Sequence, residues 1–300
     1  MAIEIKPTGT SVGAVVTGLD LTDEIPIETF ILLVEALSQH GYLSFPNQNL
    51  SPEQLKRFSE HFGGLQISVS GKFNDPVHPE VMTLSNMVKN GTPLGLSDAG
   101  QDWHTDMSYN SMIGFVNILH ALHVPKRDGI PLGDTGFANM HTAYDDLPGE
   151  LKSKLDGMTV THDFNKFWSN TVAKGSGRAP LTAAQKAKRP PSVHPIFLKH
   201  PITGRKVLYA NPGYAMRINE LPEDESAQIL TFLFEHQLSD KYVTHYHWEV
   251  GDVLIWDNIG TLHKAIADYR VDEPRMMIRT QVMADRVFEP DFLDITDVQV

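Results

Sequence analysis

A long succession of short strand-type segments, from about residue 81 onward, restricts the fold of this chain more than any other feature. These segments are rich in β-branched and aromatic residues, and Gly, Pro, Asn and Asp separate them. Helical periodicity is limited to a few stretches, such as PIETFILLVEALSQHG and EDESAQILTFLFEHQLS. Many strands with a few helices at one side predict a mainly β fold with flanking helices, either a β-sandwich or a jelly roll.

Local signals place the ends of the helices. Gly41 follows the first amphipathic stretch and is predicted to end that helix. Ser51 can cap a second helix with its side-chain oxygen, and Pro52 suits the first helical position. Pro148 is predicted to divide MHTAYDDLPGELKSKLDG into two helices.

Nothing in the sequence marks an internal domain boundary, so we predict one domain over residues 1–300. Residues 165–191 differ from the rest, since they are polar, basic and rich in Gly and Pro, without a clear secondary-structure signal. Loops of this length are often functional. The segment is therefore predicted to be a lid.

Charge and composition limit the class of function. The net charge of −12 argues against a nucleic-acid partner, which would need clustered Lys and Arg, but it does not exclude a small-molecule partner, even an anionic one. With no cysteine, any metal must be held by His, Asp or Glu. The N-terminus does not resemble a signal peptide and no apolar run reaches about 18 residues, so no membrane partner and a cytoplasmic location are expected. The sequence leaves open whether the protein forms a homo-oligomer.

The stretch QDWHTDMSY contains two residues that can bind metal, His104 and Asp106. Side chains two apart on an extended segment point to the same side and can converge on one ion. A third ligand is available in GDVLIWDNIGTLHKA, where a predicted strand leads to His263. Two histidines and one carboxylate are the ligand set of non-heme Fe(II) oxygenases. The alternative is a polar turn beside a strand.

The predicted strand PRMMIRTQV places Arg275 and Arg279 on the same side. A buried guanidinium without a partner is costly, so two arginines in an apolar setting favour an anionic ligand. The alternative is a surface ladder in which both arginines pair with Asp or Glu.

Together these residues resemble the taurine/2,4-D dioxygenase (TauD/TfdA) family of Fe(II)- and 2-oxoglutarate-dependent oxygenases. Five blocks occur in the family's order, and the stretch GYLSFPNQNLSPEQLKRFSEHFGGL is similar to its opening helix–strand unit. The blocks are WHTD, GDTGFANMHTAYDDLP, HPITGRKVLYAN, GDVLIWDNIGTLH and PRMMIR. The resemblance implies a double-stranded β-helix, which is a cupin-like jelly roll.

The resemblance also implies roles for individual residues. It makes His104, Asp106 and His263 the Fe(2+) ligands, and it assigns the distal carboxylate of 2-oxoglutarate to Thr135 and Arg275. Other residues are candidates for substrate contacts. They are Arg279, Ser68, Asn139, Phe167 and Trp168. Ser68 stands where taurine-specific members have a histidine, which argues against taurine as the substrate.

The implied reaction consumes O2 and 2-oxoglutarate, hydroxylates a C–H bond of a small anionic carboxylate or sulfonate, and releases succinate and CO2. Two alternatives use the same residues. One is a zinc-type metallohydrolase, and the other is a non-catalytic ligand-binding module on the same barrel. No catalytic residue beyond the metal site is predicted.

Overall fold

The computed structural model describes residues 2–68, 71–176 and 178–293. The helices are α1 Ile27–His40, α2 Pro52–Glu60, α3 Met140–Asp145, α4 Gly149–Leu155, α5 Phe164–Ala173, α6 Ala183–Ala187 and α7 Glu223–Gln237. The strands are β1 Glu4–Pro7, β2 Ala14–Thr17, β3 Tyr42–Phe45, β4 Met82–Ser85, β5 Val88–Lys89, β6 Thr92–Pro93, β7 Gly114–His123, β8 Lys126–Arg127, β9 Ile130–Pro131, β10 Thr135–Asn139, β11 Thr159–His162, β12 Ser192–Pro195, β13 Phe197–Lys199, β14 Lys206–Leu208, β15 Ala215–Ile218, β16 Val243–Tyr246, β17 Val253–Asp257, β18 Thr261–Ala265 and β19 Met276–Met283.

A seven-stranded sheet forms one wall of the fold, in the order β1-β2-β3-β17-β7-β19-β4. Its strands pair antiparallel, except β2 and β3, which run parallel. Helices α1 and α2 cover this sheet through fully buried side chains such as Leu33 and Leu37 of α1 and Leu55 of α2. The amphipathic helices of the first 60 residues therefore close one side of the main core.

A smaller sheet, in the order β16-β10-β18, faces the opposite side of the large sheet. Phe137 of β10 is fully buried between the rings of Tyr42 and Trp256, at centroid distances of 5.0 and 5.7 Å. Since Tyr42 and Trp256 belong to β3 and β17, this contact joins the two sheets face to face. The predicted mainly β jelly roll with flanking helices is confirmed.

The predicted helix ends agree with the structure. Gly41 follows α1 with a φ of 79°, and Ser51 forms a capping box with Gln54 at the start of α2. Pro148 lies between α3 and α4, as expected from its missing N–H.

The predicted lid segment, residues 165–191, contains more regular structure than its composition indicated. It includes most of α5 and all of α6, which Thr182 begins with a capping box. In α5, Asn, Lys and Ser separate the few apolar residues, and this weakens the helical periodicity of the sequence. Gly177 lies outside the described residues. Within the described part of the chain, no helix is both long and apolar enough to span a membrane.

Candidate active site

His104 and His263 are brought together by a backbone bridge between the loop before β7 and strand β18. His104 donates its N–H to the carbonyl of His263 at 3.1 Å, and His263 donates its N–H to the carbonyl of His104 at 2.8 Å. The centroids of the two rings lie 4.3 Å apart. Strand β18 in turn pairs with β10, so the minor sheet positions both histidines.

The carboxylate of Asp106 completes this group. Its Oδ1 lies 3.4 Å from Nε2 of His104, and its Oδ2 lies 3.6 Å from Nε2 of His263. All three side chains are buried, and their candidate ligand atoms lie within 4.8 Å of one another. Burial by itself would raise the pKa of Asp106, but a hydrogen bond from the protonated form of His104 and the charges of His104, His263 and Arg279 hold that pKa well below its ordinary value. The carboxylate is therefore ionised, as a metal ligand must be.

Hydrogen bonds leave one oxygen of Asp106 available to a metal. Oδ2 accepts from Nδ2 of Asn117 at 2.5 Å and from Nε2 of Gln281 at 2.8 Å. Oδ1 faces Nε2 of His104 instead. Two amides thus hold the carboxylate in an orientation that presents Oδ1 toward the histidines.

The tautomer of His104 also fits a metal ligand. Its Nδ1 lies 2.7 Å from the carbonyl oxygen of Asp102, which can only accept a hydrogen bond. Nδ1 must therefore carry a proton. In the neutral imidazole, which is the form that binds a metal, Nε2 faces Asp106 and holds the lone pair.

A second buried group, formed by His141, His200 and Asp257, has similar spacing but the wrong protonation. Nδ1 of His200 accepts the N–H groups of Ile202 and Thr203, both at 3.2 Å. Its proton is therefore on Nε2, which donates to Oδ2 of Asp257 at 2.9 Å. With no lone pair on that nitrogen, this group does not suit a metal, and the His200–Asp257 pair is structural.

A cavity, the inner cavity, lies beside the histidine pair and is lined by the residues expected to bind 2-oxoglutarate. Arg275 is buried there, and no Asp or Glu of the described residues forms an ion pair with it. Its Nε has no hydrogen-bond partner, and a Cβ at Gly133 would approach this atom to 2.9 Å. The hydroxyl of Thr135 accepts from Nε1 of Trp248 at 3.0 Å, which leaves its own hydrogen free to donate. The cavity thus offers a charged and a neutral donor to an anion.

A second, outer cavity opens on the other side of His104 and Asp106. Four of the predicted substrate residues line it, namely Ser68, Phe167, Trp168 and Arg279. Arg279 also lines the inner cavity, and its Nη1 lies 3.9 Å from Oδ2 of Asp106. Arg279 therefore stands between the two cavities.

Asn139 is also predicted to contact the substrate, but it does not line either of these cavities. Its Oδ1 accepts the N–H of Thr142 at 3.0 Å as the N-cap of α3, and its Nδ2 donates to the carbonyl of Ser11 at 2.7 Å. The side chain is used in capping because Asn139 is the last residue of β10, where the chain turns into a helix.

The lid segment reaches the metal-ligand loop directly. The ring of Phe167 lies 5.0 Å from that of His104. Arg178 forms a two-point ion pair with Asp98, and Lys174 pairs with the carboxylate of Asp102. Asp102 thus contacts the lid through its side chain and His104 through its carbonyl.

Several residues of the site were not predicted from the sequence. Gln281 lies two positions after Arg279 on β19, so strand alternation could have indicated it. Asn117, Tyr109 and Tyr214 have no such signal, because they reach the site only through tertiary packing.

Comparison with known proteins identifies the family of this chain. The family model of the taurine catabolism dioxygenase TauD, TfdA family matches residues 4–281. The chain is 29% identical over 294 residues to pentalenolactone F synthase of Streptomyces avermitilis, with 94% of each protein covered. It is 28% identical over 298 residues to the alpha-ketoglutarate-dependent 2,4-dichlorophenoxyacetate dioxygenase of Cupriavidus pinatubonensis, covering 96% of this chain and 100% of that protein. The crystal structure of a taurine dioxygenase from Burkholderia xenovorans is similar with a TM-score of 0.77 and 27% identity, over 95% of this chain and 90% of that one.

Proposed function

Because the chain belongs to the taurine catabolism dioxygenase TauD, TfdA family, we propose that His104, Asp106 and His263 hold the Fe(II) ion of its active site. The protein is an Fe(II)- and 2-oxoglutarate-dependent dioxygenase that acts on a small molecule. One observation carries the ligand assignment. The contacts of Asp102 with His104, and of Asn117 with Asp106, leave a nitrogen lone pair and a carboxylate oxygen facing each other.

The bound centre supplies an O2-dependent oxidation in which 2-oxoglutarate becomes succinate and CO2, with one oxygen atom entering succinate and the other the substrate. The chain's own residues orient the reactants. Arg275 and Thr135 are proposed to bind the distal carboxylate of 2-oxoglutarate, since both point donors into the inner cavity. This would direct the other end of the cosubstrate toward His104 and His263.

The outer cavity is the proposed substrate site, and we propose a small organic acid as the substrate. Arg279 supports an anionic group, because its Nε is buried without a hydrogen-bond partner. Phe167 and Trp168 supply apolar walls from the lid and exclude water from the reacting carbon. The 2,4-dichlorophenoxyacetate of one relative is an acid of this general type.

Several finer points remain part of the proposal. Ser68 lines the outer cavity and is a candidate hydrogen-bonding residue for the substrate. We propose a single domain over residues 1–300, in agreement with one family match over residues 4–281. Residues 1 and 294–300 lie outside the described part.

The test compares His104→Ala with His123→Ala, an exposed histidine at the end of β7. His104→Ala should lose Fe(II) binding in calorimetry and lose succinate release coupled to 2-oxoglutarate and O2. His123→Ala should retain both. Tight Fe(II) binding and normal turnover by His104→Ala would contradict the ligand assignment.

The two alternative functions have no support among these relatives, which are named as dioxygenases or as a synthase. A zinc-type hydrolase would turn over without O2 or 2-oxoglutarate. A non-catalytic binding module would bind ligands and release no succinate.

A further inference from the structure

The outer cavity has an excess of positive charge that the proposed reaction does not use. Four cationic side chains line it, and they are Lys72, Arg178, Arg189 and Arg279. The only carboxylate among its described lining residues is that of Asp106, a proposed metal ligand. Arg178 is neutralised by Asp98 just outside the cavity. Lys72 is exposed, so water can solvate its charge. Arg189 and Arg279 are left as partly buried charges without a dedicated carboxylate.

Arg189 differs from Lys166, Lys174 and Arg178 of the lid segment, whose side chains have polar partners, and it lines the outer cavity, unlike the exposed Lys186 and Lys188. Lys166 donates to the carbonyl of Ala215 at 2.6 Å, Lys174 pairs with Asp102, and Arg178 pairs with Asp98. Within the described residues, no ion pair or side-chain hydrogen bond involves Arg189. Its guanidinium lies over the ring of Phe164 at 4.2 Å, and this contact leaves its N–H groups free to donate.

The two arginines stand at different depths. Arg279 lines both cavities and lies near Asp106, whereas Arg189 lines the outer cavity alone. Burial raises the pKa of the Tyr109 hydroxyl to about 12, and the positive charges of Arg189 and Arg279 both oppose that rise. Both guanidinium groups therefore act on the same part of the cavity.

Much of the outer cavity around the two arginines is lined by apolar side chains. They include aromatic rings together with Met82 and Leu96. The rings of Phe167 and Tyr214 stack at 5.2 Å, and those of Tyr109 and Phe164 lie 4.8 Å apart. A ligand that satisfies both arginines must therefore have an apolar middle between two charged ends.

We infer that Arg189 is a specificity-determining residue that binds a second acidic group of the substrate, on the lid side of the cavity. The preferred substrate would then carry two anionic groups joined by an apolar body. This inference rests on the proposed function, since it assumes that the outer cavity is the substrate site.

The test uses pairs of probes that differ by one carboxylate or sulfonate. Suitable pairs are phenoxyacetate with hydroquinone-O,O′-diacetate, heptanoate with pimelate, and naphthalene sulfonate with naphthalene disulfonate. Each is titrated by calorimetry into protein loaded with Fe(II) and 2-oxoglutarate under argon, because turnover requires O2. The variants are Arg189→Gln, Arg189→Lys and the control Arg217→Gln, an exposed arginine outside the cavity.

In at least one pair, the unaltered protein should bind the dianion more tightly than the monoanion. Arg189→Gln should weaken dianion binding by about 10-fold or more, the size expected for one charge-assisted hydrogen bond, and monoanion binding by less than about 2-fold. Arg189→Lys should keep most of the preference, because the charge remains, and Arg217→Gln should keep all of it.

Two results would overturn the inference. One is that the unaltered protein binds no dianion more tightly than its monoanion, or binds none of the probes. The other is an equal effect of Arg189→Gln on both members of a preferred pair. A separate titration of 2-oxoglutarate distinguishes the two proposals. If 2-oxoglutarate does not bind, the proposed function fails and the inference fails with it. If it binds normally and the probes fail, only the role of Arg189 is wrong.

Discussion

His104 and His263 exchange a reciprocal pair of backbone hydrogen bonds, at 3.1 and 2.8 Å, although they lie in distant parts of the sequence. Their positions are therefore set by the sheet and not by the metal. Because both main chains are held before any ion binds, the site should cost little reorganisation when Fe(II) enters.

The first prediction concerns Gly213, which lies against the metal loop. A Cβ at this position would lie 2.7 Å from Cβ of His104 and 3.1 Å from the carbonyl of Trp103. Gly213→Ala should therefore displace His104 and weaken Fe(II) binding by about 10-fold or more, since ligand geometry controls metal affinity. The matched control is Gly149→Ala, where an added Cβ meets nothing within 4 Å. Equal Fe(II) affinity of the two variants in calorimetry would contradict this account.

The second prediction concerns the cosubstrate. Arg275→Lys should raise the KM for 2-oxoglutarate by about 10- to 100-fold, because a point charge replaces a two-pronged donor and about 1.5–3 kcal/mol of charged hydrogen bonding is weakened. The KM for the primary substrate should change much less. Arg286→Lys, at an exposed arginine outside both cavities, is the control. An unchanged KM for 2-oxoglutarate would remove this role from Arg275.

The third prediction concerns the ion pair between Asp98 and Arg178, which ties the lid segment to the loop before the metal ligands. Asp98→Asn and Arg178→Gln should each weaken substrate binding several-fold and leave 2-oxoglutarate binding unchanged. The double variant should be little worse than either single one, with a coupling of about 0.5–1 kcal/mol. The exposed pair Lys206–Asp156 is the control cycle. Fully additive losses would show that the pair does not act as a unit.

The fourth prediction concerns stability in acid. Burial, together with the charge of His194, lowers the pKa of His162 from its ordinary value of 6.5 to about 3. Below pH 6.5 the unfolded chain takes up a proton that the folded chain refuses, so stability is lost as the pH falls toward 3. The expected slope is about 1.4 kcal/mol per pH unit for this residue.

His162→Asn should flatten that dependence by about one proton in urea unfolding between pH 6.5 and 4. His123→Asn, at an exposed histidine, should leave it unchanged. A slope that is the same in both variants would mean that His162 is not the buried neutral group.

The sequence was informative wherever one local pattern implied one local structure. The spacing of His104 and Asp106 required only an extended segment to place both side chains together. The cap at Ser51 and the break at Pro148 depend on nearest neighbours, and both are present in the structure. Asn139 shows the limit of this reasoning. It lies within a block that resembles the family, yet its local capping role takes the side chain away from the cavity.

By itself, then, the sequence determined the mainly β class, the absence of thiol ligands and the family resemblance, and it predicted the three metal ligands. Only the tertiary structure decided which histidines are fit for a metal. His104 and His200 are both buried beside a carboxylate, but the carbonyl of Asp102 places the proton of neutral His104 on Nδ1. Two backbone N–H groups instead place the proton of His200 on Nε2. Only the tertiary structure, likewise, distinguishes Arg189 from the other basic residues near it in the sequence. The tautomer of a histidine and the pairing of a charge depend on residues from distant segments of the chain. A local sequence pattern therefore cannot predict either of them.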